Sequence, residues 1–117
     1  MNDLDALVET WLSLPDVAEL IGLPVNKVRR LLDEGQLLAV RRGDPPVLSV
    51  PAAMFLDGQP LPELRGTLTV LSDCGFSAEE SIRWLFTGDP SLPGTPVEAL
   101  REGRKTEIRR RAQALAL

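Results

Sequence analysis

Apolar residues recur along the first third of the chain at helical spacing. Leu4, Leu7, Val8 and Trp11 fall at i, i+3, i+4 and i+7, which predicts one amphipathic helix over residues 1–12 that docks on the core through Trp11. Leu14, Val17, Ala18 and Ile21 line one face of a second helix. Ser13 and Asp16 stand at its start as a capping-box pair, with Pro15 inside the first turn. Gly22 supplies the positive φ that ends it. After Leu23 and Pro24, the apolar positions Val28, Leu31 and Leu32 predict a third helix over about 25–34, closed by Gly35.

The period then changes. Residues 38–42 and 47–50 are short β-like runs around Gly43-Asp44-Pro45-Pro46, a hairpin connection. A helical turn is expected over 52–56, and Gly58-Gln59-Pro60 reads as a linker. Helical patterns follow. Residues 62–74 present Leu64, Leu68 and Leu71, with Gly75 as cap. Ser77 and Glu80 form a second capping box, opening a helix with Ile82, Leu85 and Phe86 on one face and Gly88 at its end. After a loop over 89–94, Thr95 and Glu98 form a third, starting a short helix that reaches 101 or 102. A last helix over 105–115 turns Ile108, Ala112 and Leu115 inward. Trp84 and Phe86 are assigned to the core or an interface, and Cys74 to a small buried apolar site. The expected fold is mainly α: a winged helix–turn–helix with a short two-stranded wing over 1–58, then a helical C-terminal region over 59–117 packed on it.

Composition narrows the function. With 117 residues and 44% apolar content the chain can bury a core. No apolar run approaches the roughly 20 residues of a bilayer span, and the acidic first residues lack the basic start of a signal peptide, so no membrane role and a cytoplasmic location are expected. The single Cys74 cannot form an internal disulfide. There is no histidine, which removes Ser-His and Cys-His catalysis and the usual zinc sites. No glycine-rich phosphate loop is present. The adjacent acids Asp33-Glu34 and Glu79-Glu80 point to different sides of a helix and make no acid/base dyad. No catalytic residue, metal or cofactor is therefore expected.

Charge distribution says more than the net charge of −4. Residues 25–42 carry five cations and two acids, and residues 101–111 carry six cations and two acids, within an acidic background. Phosphate contacts respond to the local patch, because screening limits reach to roughly 10 Å. A short helix fits the major groove, where Asn and Arg make paired hydrogen bonds to base edges. Asn26, Lys27 and Arg30 occupy the start and outer face of the third helix as candidates for base contact, and Arg29 for phosphate. Arg41 and Arg42 on the hairpin are candidates for the adjacent backbone or minor groove. The competing reading is that these cations only keep a surface helix solvated. In the second island, Arg104, Lys105 and Arg109 are candidates for a secondary DNA contact or an acidic protein partner; favourable placement near a helix C-terminus is the plainer account. Thr10 and Ser13 are candidate targets of a serine/threonine kinase.

Residues 14–25, followed by Leu31-Leu32-Asp33-Glu34-Gly35-Gln36-Leu37 and Ala39-Val40-Arg41-Arg42, resemble the winged helix–turn–helix of the MerR and excisionase type. The whole chain resembles a small actinobacterial family of winged-helix DNA-binding regulatory proteins. Arg83-Trp84-Leu85-Phe86-Thr87 with Asp89-Pro90-Ser91-Leu92 carry that likeness. So do Pro96-Val97-Glu98-Ala99-Leu100 with Arg110-Arg111-Ala112-Gln113-Ala114. The resemblance implies binding of double-stranded DNA through Lys27–Arg30 and the wing at Arg41 and Arg42, with transcriptional regulation as the outcome. Pro24 departs from the Ser or Thr common at this helix cap in the wider MerR group. The closing segment is loosely similar to the toxin-binding region of some antitoxins. The C-terminal helices are accordingly the expected seat of a homodimer or a protein partner. A protein-interaction adaptor without DNA contact is the alternative function.

Overall fold

The computed structural model describes residues 4–92 and 94–115. The chain runs α1 (Leu4–Leu7), β1 (Trp11–Ser13), α2 (Leu14–Ile21), α3 (Val25–Asp33), β2 (Val40–Arg42) and β3 (Val47–Pro51). A single 3-10 turn, Ala52–Met54, leads to β4 (Phe55–Leu56) and β5 (Gln59–Pro60). The C-terminal part is α4 (Leu64–Asp73), α5 (Ala78–Phe86), α6 (Pro96–Arg101) and α7 (Lys105–Ala114). This is a winged helix–turn–helix followed by a helical region, mainly α as the periodicity predicts.

All three capping boxes form. Ser13, Ser77 and Thr95 each accept the N–H of the residue three positions on, whose carboxylate takes the cap's own N–H. Gly22 closes α2 with φ 72°, a left-handed conformation that only glycine adopts without strain. Pro24 caps α3 with no side-chain hydrogen bond, so the recognition-type helix starts on backbone geometry alone.

Two predicted elements are corrected. Only Leu4–Leu7 of the first segment is helical, and Trp11 lies in a strand. Its spacing suits a helix, but β3 has an open edge there. Trp11, Leu12 and Ser13 pair with Pro51, Val50 and Ser49, so the wing hairpin gains a third strand in the order β1-β3-β2. The second correction concerns residues 55–60, read as a helical turn and linker. They form a hairpin in which Asp57 and Gly58 both take positive φ, at 54° and 73°. An Asp-Gly pair suits that primed turn, because it matches strand twist. Two smaller differences concern side chains. Leu115 is 41% exposed rather than inward. Cys74 is half-buried, its thiol pointing at the Ala112 carbonyl oxygen at 3.8 Å.

One apolar core runs through the molecule. Leu4, Val17, Val28, Val50, Met54, Leu64, Leu71, Ile82, Leu85 and Ile108 are all fully buried within it. Phe86 joins it and Trp84 packs half-buried against it. Helix α1 packs on α5, and α4 on α7. Arg101 of α6 donates to the carbonyl oxygens of Ala53 and Phe55, tying the C-terminal helices to the 3-10 turn after β3 and to β4. No described helix is long and apolar enough to cross a membrane.

Candidate nucleic-acid interface

Helix α3 owes its geometry to a single apolar side. Val28 is fully buried, and Val25, Leu31 and Leu32 are half-buried against the core. The helical period then forces Asn26, Lys27, Arg29 and Arg30 outward, and all four are exposed. Glu34 caps the helix through its N–H on the Arg30 carbonyl oxygen, and Gly35 turns the chain toward the wing.

The sheet sorts the two wing arginines to opposite faces. Side chains alternate along a strand, and directly paired residues share a face. Arg41 pairs with Leu48, whereas Val40 and Arg42 pair with Ser49 and Val47. Ser49 also pairs with Ser13 of β1, whose neighbour but one is Trp11. Arg42 and Trp11 therefore lie on one face, Arg41 and Leu48 on the other. Leu48 lines a groove of about 390 Å³ together with Arg29, Leu32 and Asp33 of α3 and with Ala39 beside β2. The face carrying Arg41 is thus the one turned toward α3.

The electrostatics follow the same division. Among the described residues, Lys27, Arg29, Arg30 and Arg41 make no ion pair. Arg42 does: its Nε and Nη2 donate to Asp5 Oδ1 at 3.0 and 2.8 Å. Its guanidinium carbon sits 4.9 Å from the centre of the Trp11 ring. Nothing in the local pattern marks Asp5 as a partner of residue 42. The signal that was available is period two, which sets consecutive arginines on opposite sides of a strand.

The second basic island is largely consumed within the fold. Arg104 pairs with Glu102 at 3.1 Å and lies 3.9 Å from Glu107. Arg109 of α7 pairs with Glu63 at the start of α4. Arg111 bonds Ser91 Oγ at 2.8 Å and Glu107 at 3.2 Å. Lys105 opens α7, and Arg110 is exposed. These arginines neutralise carboxylates and hold the last helix to the loop after α5 and to α4. Thr10 is exposed, and its carbonyl accepts the Ala52 N–H. Among the described residues no group of three His, Cys, Asp or Glu could hold a metal.

Two family models match the chain. Residues 2–55 match the family model described as DNA-binding protein Rv2175c, wHTH domain. Residues 61–116 match the Rv2175c C-terminal domain of unknown function. The chain is 45% identical over 121 residues to the DNA-binding protein Rv2175c of Mycobacterium tuberculosis, covering 92% of this chain and 82% of that protein. Its fold is similar to the NMR structure of Rv2175c, with a TM-score of 0.85 and 43% identity over 93% of this chain and 82% of that one.

Proposed function

The chain belongs to the Rv2175c family of winged helix–turn–helix proteins, and from that premise we propose that it binds double-stranded DNA and regulates transcription. The proposed surface is the outer face of α3 with Asn26, Lys27, Arg29 and Arg30, continued by Arg41 on the wing. One observation carries this: four exposed cations on two adjacent elements have no carboxylate partner among the described residues, in a chain of net charge −4 whose C-terminal arginines are mostly paired. Unpaired cations held on a rigid face suit a polyanion, because each releases a condensed counterion when it meets a phosphate.

Asn26 and Arg30 suit base edges, and Arg29 and Arg41 suit phosphates. We read residues 1–58 as the DNA-binding module, of the MerR and excisionase type in its hairpin wing, and 59–117 as the region that supports it. A single short module grips DNA weakly, so a second copy or a protein partner on the C-terminal helices would complete the contact. Exposed Thr10 is open to a serine/threonine kinase.

The test is a salt titration of binding to a duplex, with the operator first selected from a random pool. The two phosphate contacts of Arg29 and Arg41 give a slope of about −1.8 in log K against log salt. Arg41→Ala should make the slope shallower by about 0.9 and leave the melting temperature unchanged. Arg30→Ala should cost about 1–3 kcal/mol of binding and relax preference at one base position. A protein-interaction adaptor with an apolar interface would show almost no salt dependence, and that result would end the DNA reading.

A further inference from the structure

The two arginines of the wing are adjacent in sequence but differ in every physical respect. Arg41 is exposed, unpaired among the described residues, and on the sheet face turned toward α3. Arg42 is half-buried on the other face, where two of its nitrogens grip one oxygen of Asp5 and its plane covers Trp11. Asp5 belongs to α1, which packs on α5, so the clamp reaches from the wing to the C-terminal helices.

We propose that Arg42 is a positioning residue of the wing, clamped between Asp5 and Trp11 and withheld from DNA, so that the wing contact falls on Arg41 alone. This deepens the DNA-binding reading above and rests on it. A guanidinium that is ion-paired and stacked has no counterion to release, so it adds nothing to the salt dependence of binding. What it supplies is angle. The wing is a short hairpin whose tip, Gly43 to Pro46, is exposed on all four residues, and a bond at its last β2 residue sets how far the tip stands from α1. The clamp also keeps one cation out of play: freed, Arg42 would become an extra, non-selective phosphate contact.

The experiment compares four forms of the full chain: wild type, Asp5→Asn, Arg42→Ala and the Asp5→Asn/Arg42→Ala pair. Duplex binding is measured from 50 to 200 mM salt. Arg42→Ala should keep the wild-type slope but weaken binding by the same factor at every salt concentration, because Arg41 keeps its phosphate on a wing no longer held at its angle. Asp5→Asn should lose about 3.5-fold more affinity than wild type over that range, the equivalent of one added phosphate contact. The double variant should return to the wild-type slope. That last arm separates release of Arg42 from the mere loss of an acidic charge, which would survive in it.

A measurement on the wild type needs no variant to fold. The Arg42 Nε–H resonance should be moved upfield by the Trp11 ring and stay there at saturating duplex. A slope that falls by about 0.9 in Arg42→Ala, or a ring shift that vanishes when DNA binds, would show Arg42 on the phosphates and overturn the proposal. A wild type that binds no duplex at all would instead sink the reading of the surface. The clamp would then stand or fall on whether Asp5→Asn abolishes the ring shift in the free protein.

Discussion

Within α3, neighbouring residues divide stability from recognition. Val28 is wholly enclosed, so Val28→Ala removes two methyl groups from a packed site and leaves a space the core fills only in part. The expected cost is about 2–3 kcal/mol, and thermal unfolding should move down by about 4 °C for each kcal/mol. Arg30, two positions on, is exposed and makes no ion pair among the described residues, so Arg30→Ala should change stability by less than about 0.5 kcal/mol. Calorimetry on both variants, set beside duplex binding, checks the division. Equal losses of stability would mean that Arg30 has a structural partner. The same residue-scale logic explains what the sequence left unread at position 42. The helical period of α3 announces which side chains face out. By contrast, the acid that neutralises Arg42 lies 37 positions away on another element, beyond any local pattern.

At the scale of elements, the helix starts were the most legible feature, because a capping box is written in four consecutive residues. Ser77 and Glu80 form one at α5, with Ser77 Oγ accepting the Glu80 N–H at 3.1 Å and Glu80 taking the Ser77 N–H at 3.0 Å. The bond from the Ser77 backbone N–H, then that from its side chain, holds the Glu80 carboxyl below the ordinary value of 4.5. A carboxyl depressed in the folded state adds stability above its unfolded value and loses it as pH falls through the folded one. Loss of the N-cap hydroxyl in Ser77→Ala should by itself cost about 1 kcal/mol. Glu80→Gln keeps the cap geometry but cannot titrate. Its melting temperature should trail wild type at pH 7, and the gap should narrow as the pH drops below 4.5. A gap that stays constant down to pH 3 would remove the ionised carboxylate from the cap. Strands were harder to read. Asp57-Gly58 is itself a hairpin signal, yet its flanking strands are two residues each, too short to show period two. The segment at Trp11 carries a helical spacing that only the open edge of β3 overrides, and that edge is invisible until β3 is paired.

For the whole molecule the question is whether the DNA-facing half and the helical half unfold together. The seam at residues 56–60 is a hairpin rather than a free linker. Arg101 crosses it to the carbonyls of Ala53 and Phe55, and α1 crosses it to reach α5. The fully buried residues run from Leu4 to Ala112 as one cluster, so neither half closes its own apolar surface without the other. The two tryptophans report on this separately, with Trp11 in β1 and Trp84 in α5. Each single-tryptophan variant, Trp84→Phe or Trp11→Phe, should give one denaturant transition whose fluorescence midpoint matches its own midpoint by circular dichroism. Ile82→Ala on α5, deep in the C-terminal helices, should then lower the transition reported by Trp11 as much as the one reported by Trp84. If the Trp11 transition ignored Ile82, the N-terminal module would fold by itself, and the clamp through α1 would be an attachment rather than a route between the wing and the C-terminal helices.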